Sequence, residues 1–113
     1  MNAKGEEGSY EPTSLMVSAH NPNPEVISIL LETGANINEG DRFGWTSLMT
    51  AAAFNPNPEA TAILMKAGSD VNARDELGMT PLMYAVEANE YNLEIVITIL
   101  LRAGADINAR DKI

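Results

Sequence analysis

Thr46-Ser47-Leu48-Met49 repeats Thr13-Ser14-Leu15-Met16, and the block returns as Thr80-Pro81-Leu82-Met83. The starts lie 33 and then 34 residues apart. Self-similarity at such a period is the mark of a stacked-repeat architecture. Two further landmarks keep step with the first. Asn21-Pro22-Asn23-Pro24-Glu25 is matched by Asn55-Pro56-Asn57-Pro58-Glu59 and, more distantly, by Glu90-Tyr91-Asn92-Leu93-Glu94. Gly34-Ala35-Asn36-Ile37-Asn38 is matched by Gly68-Ser69-Asp70-Val71-Asn72 and Gly104-Ala105-Asp106-Ile107-Asn108. From threonine to glycine the copies measure 21, 22 and 24 residues. The extra residues of the third copy are placed around Val86 to Tyr91.

Each copy reads as two helices and a turn. The first helix, about Ser14 to Ala19 in copy one, has threonine at its cap; in copy three Pro81 takes the favoured first position. In copies one and two an Asn-Pro pair stops this helix, because the residue before proline avoids helical geometry. Asn23, Asn57 and Asn92 are predicted to cap the second helix, with Pro24 and Pro58 at its first position and Glu25, Glu59 and Glu94 near its positive end. Apolar residues then recur at helical spacing, as in Val26, Ile27, Leu30 and Leu31. Gly34, Gly68 and Gly104 close the helix, since glycine accepts the left-handed conformation. A polar excursion such as Asn72 to Gly78 turns the chain toward the next copy.

Composition bounds the rest. A chain of 113 residues with 45% apolar content suits one globular domain. Seven basic against 16 acidic residues give a net charge of -9. That balance argues against nucleic acid and anionic membrane, both of which need a basic patch. There is no cysteine, so disulfides and thiolate metal sites are excluded. The start, Met1 to Glu11, has no apolar run of a secretory signal, and Ile95 to Leu101 is far short of a membrane span. A cytoplasmic setting is the favoured expectation.

The period, the T-x-L of the first helix, the leucines four residues before Gly-Ala-Asp-Ile-Asn and the later Asp-x-x-Gly together resemble the ankyrin repeat. The Asn-Pro-Asn-Pro-Glu variant resembles ankyrin proteins of bacterial type. The resemblance implies an all-α solenoid of stacked helix-turn-helix units joined by β-hairpin-like turns. It also implies one domain over residues 1–113, with repeats at about 11–44, 45–78 and 79–113 and a polar lead at 1–10. This chain departs from the family where the histidine of T-P-L-H is Met16, Met49 and Met83. Methionine fills space but cannot join a hydrogen-bond network. Cohesion between repeats is therefore expected to rest more on apolar packing, with these methionines in the core.

No catalytic constellation is present. His20 is the sole histidine, and Ser18, two residues away, does not share its helix face. There is no glycine-rich phosphate loop. Asp41, Asp75 and Asp111 recur at one repeat position, which points to a turn role rather than a metal. No cofactor is expected. The resemblance implies instead a non-catalytic protein-protein interaction module that binds through its concave face, made of turn tips and exposed first-helix residues. In copy two these are Arg42, Phe43, Trp45, Ala53 and Phe54; in copy three, Glu76, Leu77, Met79, Glu87 and Ala88; in copy one, His20 and Asn21. Aromatic residues beside an arginine are the composition of an interface hot spot.

The expected partner is another protein, a basic one in view of the charge, and a homodimer through the C-terminal repeat is the second expected contact. Alternative readings are a regulatory fragment of a larger protein, or a small bacterial immunity- or chaperone-like protein neutralising one basic partner. Terminal repeats need a polar outer face. Ile95, Val96, Ile97, Ile99, Leu100 and Leu101 exceed what one neighbour covers, so an apolar patch is expected there, covered by a further repeat or a second copy. Met1 to Glu11 could lie over copy one.

With no constellation to carry chemistry, a broad hydrolase, kinase and oxidoreductase substrate screen is expected to find no turnover. Activity that disappears on mutating a single polar residue would contradict this.

Overall fold

A residue that can accept the orphan N–H groups of a first helical turn fixes where that helix begins. Thr46 and Thr80 do so, each hydroxyl accepting the N–H three residues on, from Met49 and Met83, at 3.3 Å. The computed structural model describes residues 14–112. Thr13 and the polar lead fall outside the described residues, as does the idea that the lead lies over copy one. The six helices are α1 (Ser14–Ser18), α2 (Pro24–Glu32), α3 (Ser47–Phe54), α4 (Glu59–Lys66), α5 (Pro81–Ala88) and α6 (Leu93–Arg102). The described residues contain no strand.

The second helices start less uniformly than the sequence suggests. Asn23 caps α2 by accepting the Glu25 N–H at 3.1 Å, with Pro24 first in the helix. Asn57 accepts the Glu59 N–H at 3.0 Å, but Pro58 stands just ahead of α4 rather than in it. Asn92 occupies the cap position of α6 without capping it. Its side-chain oxygen is committed elsewhere, accepting the Asn89 amide N–H at 3.0 Å, while its own amide donates to the Pro56 carbonyl at 2.9 Å. The ends are regular: Gly34, Gly68 and Gly104 have φ of 99°, 100° and 101°. A Cβ at Gly68 or Gly104 would meet nothing, so the left-handed backbone alone asks for glycine there.

The extra residues of copy three divide between two places. Asn89 and Asn92 are three apart where Asn55 and Asn57 are two, which lengthens the loop by one residue. The other lies past Asn92, in α6, so the insertion is not confined to Val86–Tyr91. Helices tolerate this because the leucines four before each glycine, Leu30, Leu64 and Leu100, keep their register.

The first helices α1, α3 and α5 pack side by side, and the second helices α2, α4 and α6 do the same. Ala51, Ala52 and Ala53 of α3 are all fully buried. Small side chains let the middle helix sit close between its neighbours. Leu15, Ile27, Leu48, Leu64, Val96 and Leu100 form the core between the helix layers. Met16 and Met49 are buried as expected, while Met83 is half-buried. Val96 and Leu100, placed by sequence on the open end, are instead fully buried, because they are the face α6 turns toward α5 and α4. Ile95 and Leu101 are exposed.

Polar bridges between copies are as prominent as the apolar packing, which corrects the expectation drawn from the missing histidine. Asn55 is fully buried, and its amide donates to the carbonyls of Ala19 and Asn21 at 2.7 and 2.8 Å. Asn89 donates to Ala52 at 2.7 Å in the same way. On the other edge Asn38 donates to the Gly68 carbonyl and accepts the Asp70 N–H, and Asn72 repeats this with Gly104 and Asp106. A side-chain amide both donates and accepts, so one residue type supplies what the histidine would have supplied.

Removing Asn55 strands the buried Ala19 carbonyl and takes a donor from the part-buried Asn21 carbonyl. Asn55→Ala is expected to destabilise the fold by roughly 2–4 kcal/mol, at about 1–3 kcal/mol per orphaned buried group, whereas the exposed Asn38→Ala should cost under about 1.5 kcal/mol. Urea titration followed by circular dichroism checks both; equal costs would contradict the assignment of Asn55 as the tighter bridge.

Candidate partner-binding surface

The loops between copies are built on aspartate. Asp41 accepts the N–H groups of Phe43 and Trp45 at 2.8 and 2.9 Å, both through Oδ1. Asp75 accepts those of Leu77 and Met79 at 2.9 Å each. The backbone closes the same turn, with the Asp41 N–H donating to Trp45 O and the Gly44 N–H to Asp41 O, both at 2.9 Å. This is the turn role expected of the recurring aspartates. Gly44, at φ +83°, could not be replaced without collision, because a Cβ there would stand 2.9 Å from the Asp75 Cα. That close approach exists because successive tips are bonded. The Glu76 N–H donates to Phe43 O at 2.8 Å, and the Lys112 N–H to Leu77 O at 2.7 Å.

Pinned in this way, the tips hold Arg42, Phe43, Glu76 and Leu77 out into solvent, with Phe43 53% and Leu77 50% exposed. The Arg42 guanidinium lies 5.7 Å from the Phe43 ring centroid, within cation–π range. Behind the tips runs an aromatic stack. His20 stacks on Phe54 at 5.8 Å between centroids, Phe54 on Trp45 at 6.0 Å, and Trp45 meets Tyr84 at 4.6 Å. The stack joins all three copies. Phe54 remains 43% exposed and Trp45 is partly exposed. Glu87 is exposed one turn beyond on α5, and Asn21 follows His20 on the outside.

Two residues expected on this surface are not on it. Met79 is only 6% exposed, because the Asp75 carboxylate and the backbone pair Asp75 N–H to Met79 O draw it into the base of the turn. Ala53 is buried with the rest of the α3 alanines, and Ala88 is half-buried. One residue was missed. Tyr84 stands at the position of Val17 and Thr50 in the other copies, and a lone aromatic at a repeated position was the available signal.

Tyr84 also touches the turn, its hydroxyl donating to Asp75 Oδ2. Burial first, then the hydrogen bond and charge of Asp75, push its pKa up from 10.0 to about 12. Among the described residues no group of acidic, histidine or cysteine side chains could hold a metal ion. No helix of the described residues is long and apolar enough to cross a membrane.

A family model of ankyrin repeats, three copies, matches residues 15–111. The chain belongs to the ankyrin repeat family. A search of the curated proteins found no match. The tips described above are the ankyrin hairpins, and the stack lies on the first helices beside them.

The tyrosine gives this ankyrin domain an alkaline limit. Folding holds Tyr84 protonated to a higher pH than the unfolded chain does, so its contribution is complete below pH 10 and is lost as pH rises toward about 12. Thermal melts between pH 8 and 11.5 should show this loss, and Tyr84→Phe should flatten it. An identical pH dependence in the variant would contradict the coupling.

Proposed function

We propose that this chain is a non-catalytic module that seats a partner protein against the ankyrin tips and the aromatic stack behind them. Ankyrin repeats are generally protein-protein interaction modules, and the observation that supports this surface is the partly exposed stack. Phe54 and Trp45 lie open beside the exposed Phe43, Leu77 and Arg42. Rings already packed against one another lose little freedom on binding. Arg42, Phe43, Trp45, Phe54, Glu76, Leu77 and Glu87 are the contact residues of this reading. The net charge of -9 supports a basic partner. A regulatory portion of a longer polypeptide and a small neutralising protein would both use this surface, and the identity of the captured partner separates them.

The test is capture of the partner from the source cells, then titration with variants. Phe43 is the discriminating position, since it packs on nothing that folding needs. Phe43→Ala is expected to weaken binding by about 2 kcal/mol while changing stability by no more than about 0.5 kcal/mol. Trp45→Ala removes a ring packed on two others and should lower both. Undiminished affinity in Phe43→Ala, Phe54→Ala and Leu77→Ala alike would defeat the reading.

The exposed outer face of copy three favours a second contact, a pairing of two chains. A groove of about 460 Å³ there is floored by Leu82, Met83, Val86 and Ile107 and edged by Glu87, Asp106 and Asp111. Val86 and Ile107 are 60% and 68% exposed. Apolar area favours pairing while the like charges at the edge oppose it. Light scattering should therefore show a dimer that strengthens with salt. A monomer at every ionic strength removes this second contact and leaves the first untouched.

A further inference from the structure

We infer that the cleft between the first and second copies is a pocket for one tyrosine side chain of the partner. This rests on the surface proposed above and names the chemistry it reads. Met16, Val17, His20, Asp41, Trp45 and Thr50 line the cleft, which holds about 250 Å³. That is below the roughly 300–1,000 Å³ of small-molecule sites and suits a single side chain.

The repeat supplies its own template. In copy three the aspartate of the turn, Asp75, receives the hydroxyl of Tyr84 on Oδ2, while Oδ1 holds the turn. In copy two the same two positions are Asp41 and Thr50. Asp41 holds its turn through Oδ1 in the identical way, and among the described residues no hydrogen bond reaches its Oδ2. The shorter threonine leaves the phenol's place empty. Copy one adds Met16, Val17 and the His20 ring, and Trp45 adds an indole, so apolar side chains and flat rings make most of the wall, with the Thr50 hydroxyl position beside the carboxylate.

One free carboxylate oxygen, Asp41 Oδ2, in a cleft walled mainly by Met16, Val17 and the rings of His20 and Trp45 matches one donor on a flat ring. A phenol brings a single O–H on a flat apolar ring, whereas an ammonium brings three donors and a guanidinium five. Either cation would leave donors unsatisfied against Met16 and Val17. Phenylalanine would fill the cleft and bury the oxygen without a partner, at the cost of an unmade hydrogen bond.

The single tryptophan makes the pocket observable. The full chain is titrated with N-acetyl-tyrosinamide, following the Trp45 indole N–H and Thr50 amide resonances. Saturating shifts are expected, with affinity about ten- to a hundredfold above that for N-acetyl-phenylalaninamide, the value of one hydrogen bond to a charged carboxylate. Asp41→Asn should abolish that preference. Thr50→Tyr installs the copy-three arrangement and should abolish binding. A Thr50→Phe control of equal bulk, with urea midpoints for both, shows whether each variant is folded. Should Thr50→Tyr not fold, the comparison of the three amides on the wild-type chain decides. Equal affinity for the phenylalanine amide, preference for N-acetyl-lysinamide, or no shift at Trp45 overturns the pocket. With a captured partner, binding that survives Thr50→Tyr but falls in Phe43→Ala overturns the pocket alone. Binding indifferent to Phe43→Ala, Phe54→Ala and Leu77→Ala overturns the surface.

Discussion

The first helices of copies one and two end on carbonyls to which the amide of an asparagine in the next copy reaches back. Asn55 does this for Ala19 and Asn21, and Asn89 for Ala52. Every other contact between copies is compatible with this bridge and scaled to it. The alanines of α3 let the helices come close enough for a side chain of asparagine's length to span the gap. The hairpins, set by that spacing, lie close enough for Glu76 N–H to find Phe43 O. Loss of a buried leucine costs about 2–5 kcal/mol, and stripping the Ala19 and Asn21 carbonyls of the buried Asn55 amide is of the same order. Neither packing nor polar bridging is therefore the minor partner.

The repeat, the helix pairs and their glycine ends were legible in the sequence because each is a local rule acting on a few neighbouring residues. Thr46 and Thr80 cap where threonine should, and the three glycines after the second helices take positive φ as their position demands. The asparagine bridges were hidden for the opposite reason. Asn55 reads as a stop before Pro56 and Asn89 as a loop residue, and nothing in their own segments says that the amide will be spent some 36 residues away. Asn92 leaves its cap for a nearer reason, since its oxygen accepts the Asn89 amide that only the longer loop of copy three brings to it.

The candidate surface was legible in outline and wrong in detail. Tip residues Phe43 and Leu77 are exposed because a two-residue hairpin tip has nowhere to bury them. Met79 could not be judged from spacing, since it and Trp45 occupy one repeat position with different exposures. What separates them is bulk: the methionine fits within the hairpin base, while the indole spills out and finds Phe54 and Tyr84. Tyr84 escaped notice because its role needs a carboxylate nine residues earlier to be turned toward it.

The two seams of bridges run in opposite senses. Along the loops, Asn55, Asn57, Asn89 and Asn92 reach back to the preceding copy; along the hairpin bases, Asn38 and Asn72 reach forward to the following one. The middle copy thus carries both halves of each seam, and its two faces are complementary to each other. Tandem duplication of its coding segment would give an array one unit longer with every amide and carbonyl still matched, and with no repair needed at either junction. The flanking copies carry the same asparagines, as Asn21, Asn23 and Asn38 and as Asn89, Asn92 and Asn108, so the matching that lengthening by gene duplication requires is written into every copy.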